Sequence, residues 1–134
     1  MGREKILIAD DDRDLLEGLT FLFRSDGYQV VSAMDGVSAF SLAQTKNPDL
    51  IILDLSMPWM DGYKVIERLN SLGGTAEIPI IILSGRDALI NQDRAIKVGA
   101  KAFFHKPFDT NELLACVENI LQQRRAIGTK TAPI

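Results

Sequence analysis

Cysteine is almost absent. Cys116 stands alone among 134 residues, which excludes an internal disulfide and fits a reducing cytoplasm. Long apolar runs are missing too. None approaches the roughly 20 residues that a membrane helix needs, so no membrane role is expected. The opening "MGREKILIADDD" has only a short apolar run before its acids and is not expected to act as a signal peptide. Met1-Gly2 alone is too little for a myristoylation signal. Basic residues are not in excess. The net charge is -3 and the pI about 5.1, which argues against a nucleic-acid surface, because a polyanion requires a basic patch. Repeats and low-complexity tracts are likewise lacking. What remains is ordinary globular composition, 46% apolar and 25% charged, in a length that suits one domain with one sizeable core.

Apolar blocks alternate with amphipathic ones. "KILIAD" (Lys5 to Asp10), "YQVVSA" (Tyr28 to Ala33), "DLIILD" (Asp49 to Asp54), "IPIIIL" (Ile78 to Leu83) and "KAFFHK" (Lys101 to Lys106) read as strands. Ile51 to Leu53 and Ile80 to Leu83 are apolar without alternation, as in parallel strands covered on both faces. Leu15, Leu16, Leu19, Leu22 and Phe23 share a helical stripe that Gly27 ends. Leu113, Leu114, Val117, Ile120 and Leu121 repeat those offsets behind "DTNE", where Asp109 and Glu112 have capping-box spacing. A helix from near Asp87 should stop at Gly99, and weaker helices are expected from about Val37 to Lys46 and from about Gly62 to Leu72. Five strand-helix units require parallel strands with right-handed crossovers. The expected fold is a flavodoxin-like doubly wound (βα)5 sheet of order 2-1-3-4-5. The domain is expected to span 1–125, with 126–134 a tail or the start of a linker.

Ligands of such sheets bind outside the carboxyl ends of the strands. The first strand ends in Asp10, Asp11 and Asp12, the third in Asp54, the fourth in Ser84-Gly85 and the fifth in Lys106-Pro107. Asp54 is the anomaly, a carboxylate inside an apolar run, costly unless paired or given a task. With strands one and three adjacent, Asp10, Asp11 and Asp54 converge, and their hard oxygens suit Mg²⁺. Lys106 and a divalent ion would together neutralise the three carboxylates.

These residues resemble the receiver domain of two-component response regulators over about Glu4 to Arg124. The resemblance rests on "ILIADDD", "DLIILDLSMPWMDG", "IIILSG" and "FFHKPF". The spacings also fit: 44 from Asp10 to Asp54, 30 on to Ser84 and 22 on to Lys106. The resemblance implies a phosphorylation-activated signalling switch, not a turnover enzyme, that assists its own phosphorylation and dephosphorylation. Asp54 would be the phosphoacceptor. Asp11 would be a direct metal ligand, Asp10 the acid that holds a metal-bound water, and the Ser56 backbone carbonyl a further ligand for Mg²⁺ or Mn²⁺. Ser84 would fill the hydroxyl position, Lys106 the lysine position and Phe103 the switch aromatic. The Lys106-Pro107 bond would be cis. The implied partners are a histidine kinase or histidine phosphotransfer protein as donor, and a second copy or an output partner on the face formed by the fourth helix, fifth strand and last helix.

Each role has a physical reason. Phosphoryl transfer needs an in-line nucleophile and neutralised phosphoryl oxygens. Neighbouring carboxylates raise the pKa of Asp54, while a metal and Lys106 oppose that. Other readings are weaker. In an aspartyl-phosphate phosphohydrolase of the haloacid dehalogenase type, a second Asp would stand where Ser56 does. An adhesion-type D-x-S-x-S site fails at Pro58, and no G-x-G-x-x-G follows the first strand. A non-phosphorylated interaction module also remains. Asp12 reads only as a helix cap, His105 as a surface residue, Cys116 as a packed thiol and Arg124-Arg125 as helix C-terminal charge. Leu89, Ile90 and Ile96 do not share one helical face, so part of that apolar surface is expected to be exposed. Arg86 is expected to flank the water path to a phosphoryl group on Asp54, and Trp59 to report on the loop beside the metal.

Overall fold

In the computed structural model, residues 3–85 and 88–131 are described, without the side chains of 88–91 and 127–131. Arg86, Asp87 and the side chains of Leu89 and Ile90 therefore lie outside the described residues. Ten elements alternate: β1 Lys5–Ala9, α1 Arg13–Ser25, β2 Gln29–Ala33, α2 Gly36–Lys46, β3 Leu50–Asp54, α3 Gly62–Asn70, β4 Ile80–Ser84, α4 Ala88–Lys97, β5 Ala102–His105 and α5 Thr110–Thr131. The sheet order is β2-β1-β3-β4-β5, every pairing is parallel, and the fold is the flavodoxin-like one expected.

The two apolar runs occupy the centre for the expected reason. β3 and β4 are buried at every position. Successive residues face opposite sides of a strand, so each run feeds two cores. Leu7, Ala9, Ile51, Leu53, Ile80 and Ile82 pack on one face, under α2, α3 and α4. Ile6, Ile8, Leu50, Ile52, Ile81 and Leu83 pack on the other, under α1 and α5. The α1 stripe is narrower than its pattern, because only Leu16, Leu19 and Phe23 are fully covered, while Leu15 packs at the edge.

Aspartates cap the helices. Asp12, Asp35 and Asp61 accept from the N–H groups of Leu15, Ser38 and Lys64 at the starts of α1, α2 and α3. Asp109 accepts from Asn111 and Glu112 at the start of α5. A short acceptor at that position satisfies N–H groups that a helix leaves unpaired. Gly27 and Gly99, at φ 94° and 92°, turn the chain out of α1 and α4.

Several element ends differ from the sequence reading by one or two residues: β4 runs Ile80–Ser84 rather than Ile78 to Leu83, β5 stops at His105 before Lys106, and α3 ends at Asn70 rather than near Leu72. β1 ends at Ala9, so Asp10 stands just beyond the strand. α5 continues to Thr131, through Gly128 and into the segment expected to be a tail. No described helix is long and apolar enough to cross a membrane.

Candidate functional site

Parallel strands bring their carboxyl ends to one edge, and the register determines what meets there. Ala9 of β1 pairs with Leu53 of β3, so the residues that follow each, Asp10 and Asp54, emerge side by side. Asp54 is level with Leu83, and Ser84 with His105. The lysine after His105 therefore arrives at the same edge. Asp10, Asp11 and Asp54 each place a carboxylate oxygen within 4.8 Å of the others. Asp10 has no exposed surface and Asp54 only 3%, while Asp11 is exposed.

Lys106 Nζ lies 2.8 Å from Asp10 Oδ2 and 3.5 Å from Asp54 Oδ1. The other Asp10 oxygen accepts from the Asp12 N–H at 2.9 Å. Burial opposes the Lys106 charge, yet its bonds to Asp10 and the nearness of Asp54 raise its pKa on balance. Asp54 is less well served. Burial pushes its carboxyl above the usual range, and repulsion from Asp10 adds to that. Lys106 and the Ser56 backbone N–H only oppose it.

Three carboxylates and one ammonium leave two net negative charges in the crevice. All three donors are hard oxygens, and the partly solvated Asp11 leaves an approach from water. A divalent cation of the Mg²⁺ or Mn²⁺ type fits this set. No buried side-chain polar atom among the described residues lacks a partner, so the cluster is satisfied everywhere except in its charge.

Ser84 is fully buried at the end of β4. The N–H of Lys106 donates to its carbonyl at 2.7 Å. Gly85 beyond it faces open space. Phe103 is half-buried and packs against the α2–α4 core. The Lys106-Pro107 bond is cis. The structure thus brings together Asp10, Asp11, Asp54 and Lys106 and sets Ser56 and Ser84 at the same edge. Phe103 lies further back.

This geometry sits in a chain whose residues 6–118 match the family profile described as the response regulator receiver domain. The chain belongs to that family. This receiver domain is 37% identical over 119 residues to response regulator MprA of a Mycobacterium species, covering 89% of this chain and 51% of that protein. It is 33% identical over 128 residues to transcriptional regulatory protein PrrA of Mycobacterium bovis, covering 96% of this chain and 54% of that protein. The receiver domain thus spans about half the length of these relatives. It is also similar to the receiver domain of Francisella response regulator 1452, with a TM-score of 0.83 and 34% identity over 92% of this chain and 99% of that one.

Sequence reasoning alone does not single out two residues at this edge. A Cβ on Gly62 would lie 2.8 Å from the Asp54 carbonyl oxygen, and one on Gly36 would lie 1.7 Å from the Met60 carbonyl oxygen. The available signal was the repeated pair Asp35-Gly36 and Asp61-Gly62, each opening a helix.

Proposed function

We propose that the chain is a phosphorylation-controlled signalling switch with Asp54 as its phosphoacceptor. The observation that carries this is the convergence of Asp10, Asp11 and Asp54 within 4.8 Å, with Lys106 against them, at the carboxyl edge of a receiver-family sheet. In the reaction, an Asp54 carboxylate oxygen attacks the phosphorus of a phosphohistidine on a kinase or phosphotransfer protein. A P–O bond forms, the P–N bond breaks, and the imidazole departs and takes up a proton. Asp10, Asp11, Asp54 and the Ser56 carbonyl would hold Mg²⁺ or Mn²⁺, which supplies Lewis-acid stabilisation of charge on the transferred oxygens.

The chain's own groups do the rest. The nucleophile attacks only while ionised, and Lys106 works against the burial and the Asp10 repulsion that disfavour that form. Lys106 then takes a phosphoryl oxygen as a point charge. Ser84 meets another by turning its hydroxyl outward, and Phe103 moves into the space behind it. The added charge, roughly one unit, thereby reaches the face of α4, β5 and α5, where Ile96 is 64% exposed. That face serves a second copy or an output partner, in a cytoplasmic protein whose receiver unit spans 1–125. The small-substrate phosphohydrolase has less support. A groove of about 690 Å³ between α1 and β2 includes none of the three carboxylates.

The test is incubation with acetyl phosphate and Mg²⁺, followed by intact mass and peptide mapping. A single phosphoryl adduct on Asp54, absent with EDTA and absent from Asp54→Asn, is the expected result. Unchanged labelling of Asp54→Asn would place the acceptor elsewhere.

A further inference from the structure

The segment Leu55 to Asp61 links the end of β3 to α3, and it is held at both ends. Near β3, the Leu55 N–H donates to the Leu83 carbonyl at 3.2 Å, and the Leu55 carbonyl accepts from Gly62 at 3.0 Å. Further on, the loop leans on a different helix. The Gly36 N–H, at the first position of α2, donates to the Pro58 carbonyl at 3.2 Å, and the Met60 N–H shares that acceptor at 2.8 Å. Ser56 and Met57 lie between these anchors.

The second anchor exists only because residue 36 is glycine. A Cβ there would stand 1.7 Å from the Met60 carbonyl oxygen, 2.6 Å from its carbonyl carbon and 2.6 Å from its Cβ. Two of those atoms are backbone, so no rotamer change relieves the overlap. Any side chain must push the loop away from α2 or push α2 away from the sheet. The Asp35 cap, bonded to Ser38 at 2.7 Å through its N–H and 3.0 Å through its hydroxyl, fixes the start of α2 and leaves the loop to give way. Gly18 is a contrast within the same chain: a Cβ there meets nothing within 4 Å.

We infer that Gly36 is a positioning residue for the Asp54 site. By admitting the Met60 carbonyl against α2, it sets the height of the Ser56 backbone above the carboxylates. The inference rests on the Asp54 reading and extends it to a residue on another helix that touches neither phosphoryl group nor metal.

The experiment compares wild type, Gly36→Ala and Gly18→Ala. Three readouts are taken: thermal melting, the Mg²⁺ midpoint from Trp59 emission without phosphodonor, and the rate of Asp54 labelling by acetyl phosphate. For Gly36→Ala the expected results are a metal affinity lower by roughly tenfold, the scale of lost support around a metal site, and labelling slower by about tenfold or more. The Ser56 amide resonance should also shift in the metal-free protein. Gly18→Ala should match wild type in affinity and rate. A Gly36→Ala protein that melts earlier but keeps wild-type affinity, rate and Ser56 resonance overturns the inference. If Gly36→Ala does not fold, wild type decides: the Gly36 N–H should exchange more slowly in Mg²⁺ than in EDTA, and equal exchange overturns the coupling. Absence of labelling in wild type itself defeats the Asp54 reading instead.

Discussion

The ammonium of Lys106 is bonded to Asp10, at 2.8 Å, and only borders Asp54, at 3.5 Å. The best ion pair in the site thus belongs to the neighbour of the proposed nucleophile, and Asp54 is left as the under-compensated charge. Burial and Asp10 both raise its pKa.

Asp54→Asn is therefore expected to stabilise the metal-free protein while abolishing labelling. A carboxyl whose folded pKa is raised binds its proton more tightly in the native state. Its contribution is favourable at low pH and is lost as pH rises from the ordinary 3.8 through the raised folded value. At neutral pH the ionised Asp54 is thus a cost, and its removal should raise stability on the order of 1 kcal/mol, about 3–5 °C in a domain of this size. Melting in EDTA at neutral and at mildly acidic pH checks both magnitude and sign. A lower neutral melting point for Asp54→Asn would show that the ionised Asp54 is not a cost to the fold.

Asp11 is exposed, so Asp11→Asn should leave the fold intact and weaken Mg²⁺ binding, by roughly tenfold or more for the loss of a direct ligand. Trp59 emission during Mg²⁺ titration reports it. An unchanged midpoint removes Asp11 from the ligand set.

Trp59 is 85% exposed at φ 71°. A bulky residue in the left-handed region is strained, and little packing repays it. Trp59→Gly should gain about 0.5–1 kcal/mol, visible in urea unfolding. If the strain is kept for docking, labelling by acetyl phosphate survives and transfer from a cognate phosphohistidine protein slows. Loss of both activities would instead tie Trp59 to the chemistry.

Tyr28 is buried and its hydroxyl donates to Glu118 at 3.4 Å. Burial first, then nearby Glu118 and Asp26, push its pKa from 10.0 up to about 12, although the Arg3 guanidinium works against this. A raised folded pKa gives stability that is full below 10.0 and lost as pH rises to about 12. The wild type should lose roughly 2 kcal/mol more than Tyr28→Phe over that interval. Urea midpoints of the two proteins across the interval decide it, and parallel curves would show that Tyr28 ionises freely.

Much of the site was readable because its residues violate local expectation. Asp54 ends a run that is otherwise apolar, and Lys106 precedes a proline at a strand end. Asp12 was legible as a cap from its place before an amphipathic run, and it accepts from Leu15 as expected. Less legible was anything set by contact between distant segments. The bond from Lys106 to Asp10 rather than to Asp54 spans 96 residues, and no periodicity encodes the choice between two acids. Arg94 over the Tyr63 ring at 3.9 Å and Arg3 over Tyr28 at 4.3 Å are of the same kind, since each joins elements whose separation depends on packing.

By itself the sequence determined the order of elements, the parallel sheet and the list of groups at its edge. These follow from hydrophobic periodicity and from helical connections between strands, which are local and repeated along the chain. Tertiary structure alone decided which of those groups touch, how much water reaches each, and that Gly36 must lack a side chain. Such facts turn on differences of an ångström or less between segments far apart in sequence. Close packing decides them, because two backbones can share that space only where one of them carries no Cβ.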